Sequence, residues 1–367
     1  MSSSSIPTKM RALVVPEPGV DHYSLQEQDT PSPEGTKVLL HIKASGLCHT
    51  DSMVRDGSFG GNWPIIGGHE PAGEVVAVGD NAEEVSVGDR VVALLPKDPC
   101  GTCPDCIMGD WKFVYILHRK FIKFSGINAD GFFSEYALVE AKFCVPIPDS
   151  MSFEQAAPLG CAGVTVYAGI KKAQLKPGDV IAISGVGSLG YLGVQFAKAI
   201  GLKVVAIDTR TEALELVRSL DNDHRPDLII DASKSKAKDA LNAINGLRPS
   251  GYHGWDGVDA MPAAASVLTS PAISSYQYAA DLTRDHGTLI LLAQPTKVEF
   301  QYPTFLARDI TLRGSLHGNE VDLKDTVELA YKCNIKSEVK TFTINQHREM
   351  LDAVESDTWK GKAVLVF

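Results

Sequence analysis

A glycine-rich turn between an apolar strand and a helix leaves a chain little choice of fold, and this sequence carries one. Gly185-Val186-Gly187-Ser188-Leu189-Gly190 sits between the apolar run Val180–Ser184 and a helical stretch from about Leu189 to Ile200. In a G-x-G-x-x-G turn the first glycine permits the tight bend and the second lets backbone approach a diphosphate. The third lets helix pack on strand. Unpaired N–H groups at the helix start favour an anion there. A second strand, Lys203–Ile207, ends at Asp208, 18 residues after Gly190. An acid so placed can accept hydrogen bonds from ribose hydroxyls, which favours NAD over NADP; Arg210 beyond it could instead receive a 2′-phosphate. The competing explanation is a plain βαβ turn with a surface aspartate.

Further strands are expected at Leu228–Ile230 and Thr288–Leu292, with helical stretches between them. Strands alternating with helices imply parallel βαβ units and a doubly wound sheet. Residues 9–148 read differently. Ala12–Val15, Val38–Ile42, Gly73–Val78, Val87–Val92 and Gly131–Tyr136 are short apolar or alternating runs bounded by Gly, Pro and Asp. They predict a mostly β, antiparallel, barrel-like half. Ser152–Gly169 reads as one helix with Ser152 as its N-cap. The segment 246–259 reads as a surface loop. Helices are expected near Leu323–Cys333 and Gln346–Ser356, before a last strand at Ala363–Phe367.

With 367 residues, two or three domains are expected, and the formal net charge of −10 argues against a nucleic-acid or anionic-membrane binder. No apolar run approaches the roughly 20 residues of a membrane-spanning helix. Met1–Lys9 is polar and lacks the apolar core of a secretory signal, so a cytoplasmic address is expected. In that setting the seven cysteines read as metal ligands or reactive thiols before disulfides. Cys100, Cys103 and Cys106 form the one tight cluster. Cys48-His49-Thr50-Asp51, Gly68-His69-Glu70 and Cys161 lie far apart, and spacing alone does not join them. Each has an ordinary reading as a buried thiol, a core histidine or a surface acid.

Taken together, and in this order, the motifs carry a resemblance. They are Gly46-Leu47-Cys48-His49-Thr50-Asp51, Gly67-Gly68-His69-Glu70-x-Ala72-Gly73, Val87-Gly88-Asp89-Arg90-Val91, the Cys100 cluster, Pro158-Leu159-x-Cys161-Ala162-Gly163, the glycine turn, and Gly314-Ser315-x-x-Gly318-Asn319. Over nearly its whole length the chain resembles the zinc-containing alcohol dehydrogenases of the medium-chain dehydrogenase/reductase superfamily, the yeast-type branch in particular. That resemblance implies an α/β fold with two parts. A GroES-like, mostly β catalytic domain would cover 1–156, completed by 319–367, and a Rossmann domain would cover 157–318. It implies a catalytic zinc on Cys48, His69 and Cys161, with the fourth position open to a substrate oxygen or water. Asp51 would orient His69, and Glu70 would lie behind the metal or act as a structural acid that never nears it. His49 would sit near the cofactor diphosphate, and Thr50 would accept the alcohol proton.

The implied activity is NAD(H)-linked interconversion of a small-molecule alcohol and its aldehyde or ketone, by a homo-oligomer of two or four subunits. A zinc-free enoyl or quinone reductase on the same scaffold is the alternative, and a non-catalytic zinc-binding protein a more distant one. Three positions depart from the family. Met53 stands where yeast-type enzymes carry a relay histidine, and methionine has no titratable proton. Turnover is therefore expected to be slower, or to show a different pH–rate profile, than in a histidine-relayed enzyme. The structural-zinc lobe of the family has a fourth cysteine eight residues after the third, where this chain has Val114. His118, Asp105 or Asp110 would have to complete a closed zinc site on Cys100, Cys103 and Cys106; the alternative is three reduced thiols in a metal-free loop. Glu320 stands where relatives carry an arginine near the diphosphate, so weaker phosphate contacts are expected. Met53, Phe59, Trp63 and Leu316 are the expected pocket-lining residues.

Overall fold

The structure, a computed structural model, describes residues 6–113, 123–247, 262–356 and 358–367. Its contacts divide it into two units. The first comprises residues up to Val164 with Gly318–Tyr331 and Ser337–Phe367; the second comprises Thr165–His317 with Lys332–Lys336.

In the first unit the strand Lys37–Gly46 is central: Val38, Leu39, Leu40, Ile42 and Ala44 are all buried, while Lys37, His41 and Lys43 are half-buried. It pairs antiparallel with Glu70–Val78, Tyr136–Glu140 and Lys362–Val366. The sheet continues through Arg90–Ala93 to Cys144–Pro146 on one side and through Lys362–Val366 to Val339–Thr343 on the other. A smaller sheet joins Ser24–Asp29, Lys9–Val15 and Ile65–Ile66. At the end of the central strand, Gly46 lies opposite Glu70 on one neighbour and opposite Val364 on the other.

Two expectations for this unit are corrected. Gly131–Tyr136 is not a strand; the strand starts at Tyr136 and runs to Glu140. The backbone N–H groups of Gly131, Phe132 and Phe133 bond instead to the carbonyls of Ile66, Gly68 and Gly67 at 2.8, 3.0 and 2.8 Å. Nor is Ser152–Gly169 one helix. It divides into Phe153–Ala156, a 3-10 turn Ala157–Gly160, and Ala162–Lys172. Pro158 supplies no N–H, and Cys161 leaves the helical region at φ −132°, ψ −69°.

The second unit holds six parallel strands in the order Leu228–Asp231, Lys203–Asp208, Val180–Ser184, Ala263–Leu268, Thr283–Leu291 and Thr311–Gly314. The first strand in sequence sits inside the sheet and the order reverses beside it, the doubly wound pattern that leaves a crevice at the strand ends. Val180, Ala182, Val205, Ile207 and Ile230 pack with Ala240 and Ile244 of the helix Ala237–Asn245. Ala263–Leu268 is buried at every position, and its run of three alanines hides it from propensity-based reading. Thr311–Gly314 closes one edge of the sheet with all four residues exposed. Most of the expected 246–259 loop lies outside the described residues.

Candidate active site

Four side chains that are distant in sequence meet within the first unit. Ligand atoms of Cys48, His69, Glu70 and Cys161 all lie within 4.8 Å of one another. Each arrives by a different local device. Cys48 caps the helix His49–Arg55, and the Asp51 carboxylate accepts the Cys48 backbone N–H at 2.8 Å. The second oxygen of that carboxylate accepts from the Gly68 N–H at 3.2 Å and meets His69 Nδ1 at 2.9 Å. Asp51 and His69 are both buried, so the ring is fixed and its Nε2 is left for the thiols. Cys161 joins because the chain departs from helical geometry there.

Glu70 is fully buried beside these ligands, and nothing in the sequence points to its partner. Lys362, 292 positions away, donates from Nζ to Glu70 Oε1 at 2.6 Å, and its side chain is only 4% exposed. The register through Gly46 brings the two together: a Cβ on Gly46 would stand 2.0 Å from Glu70 Oε2 and 3.1 Å from Lys362 Cε. Among the described residues, Glu70 Oε2 itself has no hydrogen-bond partner.

The four groups shift one another's proton affinities strongly. The Cys161 thiol holds Cys48 well below the ordinary thiol range despite burial, while Cys161 is pushed well above it by Cys48 and by burial. Burial would lower His69, yet Asp51 and Cys48 outweigh it and raise the ring well above its usual value. Burial pushes Glu70 up to about 7, against the pull of Lys362. Two thiols, an imidazole with its far nitrogen already fixed, and an unpartnered carboxylate oxygen fit Zn²⁺, which displaces such protons on binding.

Thr50 is half-buried, its Oγ1 3.9 Å from Cys48 Sγ, while His49 stands exposed at the first residue of the same helix. Met53, Phe59 and Trp63 belong to the first unit and are half-buried; Leu316 belongs to the second and is 37% exposed.

In the lobe the Cys100, Cys103 and Cys106 thiols also lie within 4.8 Å of one another. Cys103 caps the short helix Pro104–Ile107 and accepts from the Cys106 N–H at 3.4 Å. Backbone N–H groups of Thr102 and Cys103 hold Cys100 down to about 6, and burial raises Cys106 to about 11. No fourth ligand joins the three among the described residues, neither Asp105 nor Asp110. Val114 and His118 lie outside the described residues. Glu320 has a job that the sequence does not suggest: its Oε2 accepts from the buried Trp111 Nε1 at 3.1 Å, tying the lobe to the helix Glu320–Lys332.

In the second unit the glycine turn has the expected form. Gly185 adopts φ +95°, which suits glycine alone, and a Cβ on Gly190 would stand 1.9 Å from the Gly185 carbonyl oxygen. Gly187 caps the helix Ser188–Ala199. Asp208 accepts from the Val186 N–H at 2.8 Å and from the Thr209 and Arg210 N–H groups at 2.8 and 2.9 Å. The acid at the strand end and the turn are therefore one structure. Arg210 reaches back, its Nε 3.8 Å from Asp208 and its Nη2 3.4 Å from where a Gly187 Cβ would be. Three backbone donors around Asp208, and a turn with no side chain at Gly187, fit a dinucleotide.

The chain is similar to known proteins over both units. The alcohol dehydrogenase GroES-like domain family matches residues 34–149, and the zinc-binding dehydrogenase family matches 188–332. An alcohol dehydrogenase of Geobacillus stearothermophilus is 32% identical over 364 residues, spanning 97% of this chain and 99% of that one. Alcohol dehydrogenase 1 of Neurospora crassa is 31% identical over 370 residues, spanning 100% and 99%. The solved acetophenone reductase of Geotrichum candidum in complex with NAD superposes with a TM-score of 0.82 at 26% identity, covering 99% of each chain. With family matches on both sides of the 164/165 division and relatives matched from end to end, the chain belongs to the zinc-type alcohol dehydrogenases and carbonyl reductases of the medium-chain dehydrogenase/reductase superfamily.

Proposed function

We propose that Cys48, His69 and Cys161 hold the catalytic zinc of this alcohol dehydrogenase, and that NAD(H) is its hydride carrier. The observation that carries the reading is the fixing of His69 by Asp51 at 2.9 Å, which commits the other ring nitrogen to the two thiols. When bound, zinc supplies a Lewis acid that eases deprotonation of an alcohol or polarises a carbonyl, and the nicotinamide accepts or donates the hydride. The chain does the rest. Thr50 takes the alcohol proton. Asp51 fixes the His69 tautomer, and Lys362 holds one oxygen of Glu70 while the other stays close to the ligands. Met53 cannot carry the proton onward, so it leaves from Thr50 through a ribose hydroxyl or water.

The turn Gly185-Val186-Gly187-Ser188-Leu189-Gly190 cradles the diphosphate, and Asp208 takes the ribose hydroxyls. A 2′-phosphate would meet the Asp208 charge, which supports NAD over NADP; Arg210 beside it is the group that would soften the preference. The substrate is a small alcohol, aldehyde or ketone. A homo-oligomer is supported by the exposed edge Thr311–Gly314 and by the exposed Tyr302 and Leu306. A cytoplasmic setting accords with seven free cysteines.

Metal analysis tests the assignment. Protein purified without added metal should carry a catalytic zinc that His69→Ala removes together with NADH-dependent carbonyl reduction. If turnover survived exhaustive removal of metal, the zinc-free reductase reading would replace it.

A further inference from the structure

Between the helix Glu320–Lys332 and the strand Val339–Thr343 the chain passes from the second unit back to the first, the division falling between Lys336 and Ser337. Both residues lie outside any strand, so their backbone groups need partners from elsewhere. Each is met by one glutamine. Within the second unit, Gln195 Oε1 accepts the Lys336 N–H at 3.1 Å, and Gln195 Nε2 donates to the Lys336 carbonyl at 2.9 Å. Within the first unit, Gln155 Oε1 accepts the Ser337 N–H at 3.0 Å, and Gln155 Nε2 donates to the Ser337 carbonyl at 3.1 Å. A primary amide suits this role because it carries an acceptor and two donors in one plane. Gln195 is buried and uses its second donor on the Tyr191 carbonyl at 3.2 Å. His224 Nε2 donates to the Cys333 carbonyl at 2.9 Å, so the approach to Lys336 is fastened within the second unit too.

Two consecutive residues are therefore clamped to different helices, and those helices lead to different sites. Gln195 lies on Ser188–Ala199, the helix that the glycine turn opens. Gln155 lies on Phe153–Ala156, which runs through Ala157–Gly160 to Cys161. From the glycine turn to Cys161 there is thus a continuous path of helix, four side-chain hydrogen bonds and one peptide bond. We propose that Gln155 and Gln195 are positioning residues that couple the dinucleotide turn to the catalytic ligand Cys161 through the Lys336–Ser337 peptide. The inference rests on the zinc and dinucleotide assignments proposed above. A nucleotide that orders Ser188–Ala199 steadies Lys336, and Ser337, one bond on, then steadies Gln155 and the turn before Cys161. Less ordering is left to do when the metal binds. Such coupling is reciprocal, so the metal tightens the nucleotide by the same factor.

The test measures that factor on the full chain. ADP-ribose is the nucleotide probe, because it lacks the nicotinamide, the part of the cofactor that reacts beside the metal. Zinc affinity is read by competition with a chelator, with and without saturating ADP-ribose. The wild-type protein should bind zinc about 5-fold more tightly, or better, when the probe is present. Gln195→Met and Gln155→Met keep the bulk and remove both hydrogen bonds, and each should bring the factor below about 2-fold. Because the two act in series, the double variant should bring it no lower. A purely structural loss would weaken both affinities and leave their ratio intact. No coupling in the wild type, or full coupling in variants that bind both ligands, would overturn the proposal. Should Gln195→Met fail to bind the probe, Gln155→Met decides alone, its glutamine being half-buried on a separate helix. A wild-type protein that bound no ADP-ribose or no zinc would overturn the underlying assignment, and the proposal with it. That outcome is distinct from intact binding of both without coupling.

Discussion

The two sulfur clusters of the first unit, catalytic and lobe, differ in how they are held. Both bring their ligand atoms within 4.8 Å. The catalytic cluster draws Cys48, His69 and Cys161 from three distant stretches, with Asp51 and His69 buried and each ligand tied to a helix cap, a charged partner or a break between helices. The lobe cluster occupies seven consecutive residues, carries one exposed thiol, and is built on a helix of four residues. The tight spacing that makes the lobe obvious in the sequence is thus no measure of strength. A strong site needs neighbours that only the folded chain supplies.

The contrast can be broken most directly at the ligands themselves. Cys161→Ser should reduce NADH-dependent turnover by about 10³-fold or more, since it removes several kcal/mol of charge stabilisation. Cys103→Ser should change turnover by less than about 10-fold, a loss of no more than roughly 1.4 kcal/mol. Comparable losses in steady-state assays would erase the distinction. Next in size is the ion pair behind the catalytic ligands. Lys362→Met leaves Glu70 as a buried, unpaired acid and should cost about 3–5 kcal/mol in urea unfolding, with Glu70→Gln added on top restoring most of it. No recovery in the double variant would mean that the pair is not the source of the cost.

Asp51→Asn should weaken zinc by about 10–100-fold in competition with a chelator. An unchanged affinity would show that the carboxylate does not buttress the site. A pH-dependent effect is expected near the base of the lobe, where Lys97 lies on the strand Pro96–Lys97 that pairs with Lys123–Phe124. Its ammonium donates to the Asp130 carbonyl, and burial pushes it down to about 8 from 10.5. Below about pH 8 the lysine is charged in both folded and unfolded chains. Between about 8 and 10.5 the folded chain loses the proton first, so this group's contribution to stability improves as pH rises through that window. Unfolding of Lys97→Met should lack that increment across the same range; an identical pH dependence in both proteins would count against it.

What could be read from the sequence divides in the same way between local and distant causes. The glycine turn, its strand and its helix are neighbours along the chain, and they fold as expected; the closing of Asp208 on Val186 is added by the structure. The ligand trio is joined in the sequence only through resemblance, because no spacing rule connects Cys48 with Cys161. Lys362 gives no sign of itself there: its meeting with Glu70 depends on a strand register and on the empty space at Gly46. Glu320 reads as an anomaly at a phosphate site, and the structure makes it the acceptor for Trp111. The break at Cys161 is hidden for a related reason. The surrounding residues favour helix, and Pro158 restricts the residue before it without fixing the backbone of the residues after it.

The Asp51 carboxylate, which joins the Cys48 backbone to the His69 ring, has a consequence for the protein's life with scarce metal. A holder fastened by hydrogen bonds of its own keeps its shape when emptied, so supply of the ion becomes a matter of loading and not of refolding. A chain synthesised in zinc-poor conditions would wait in a competent form, and a chelated one would recover on resupply at the speed of ion entry.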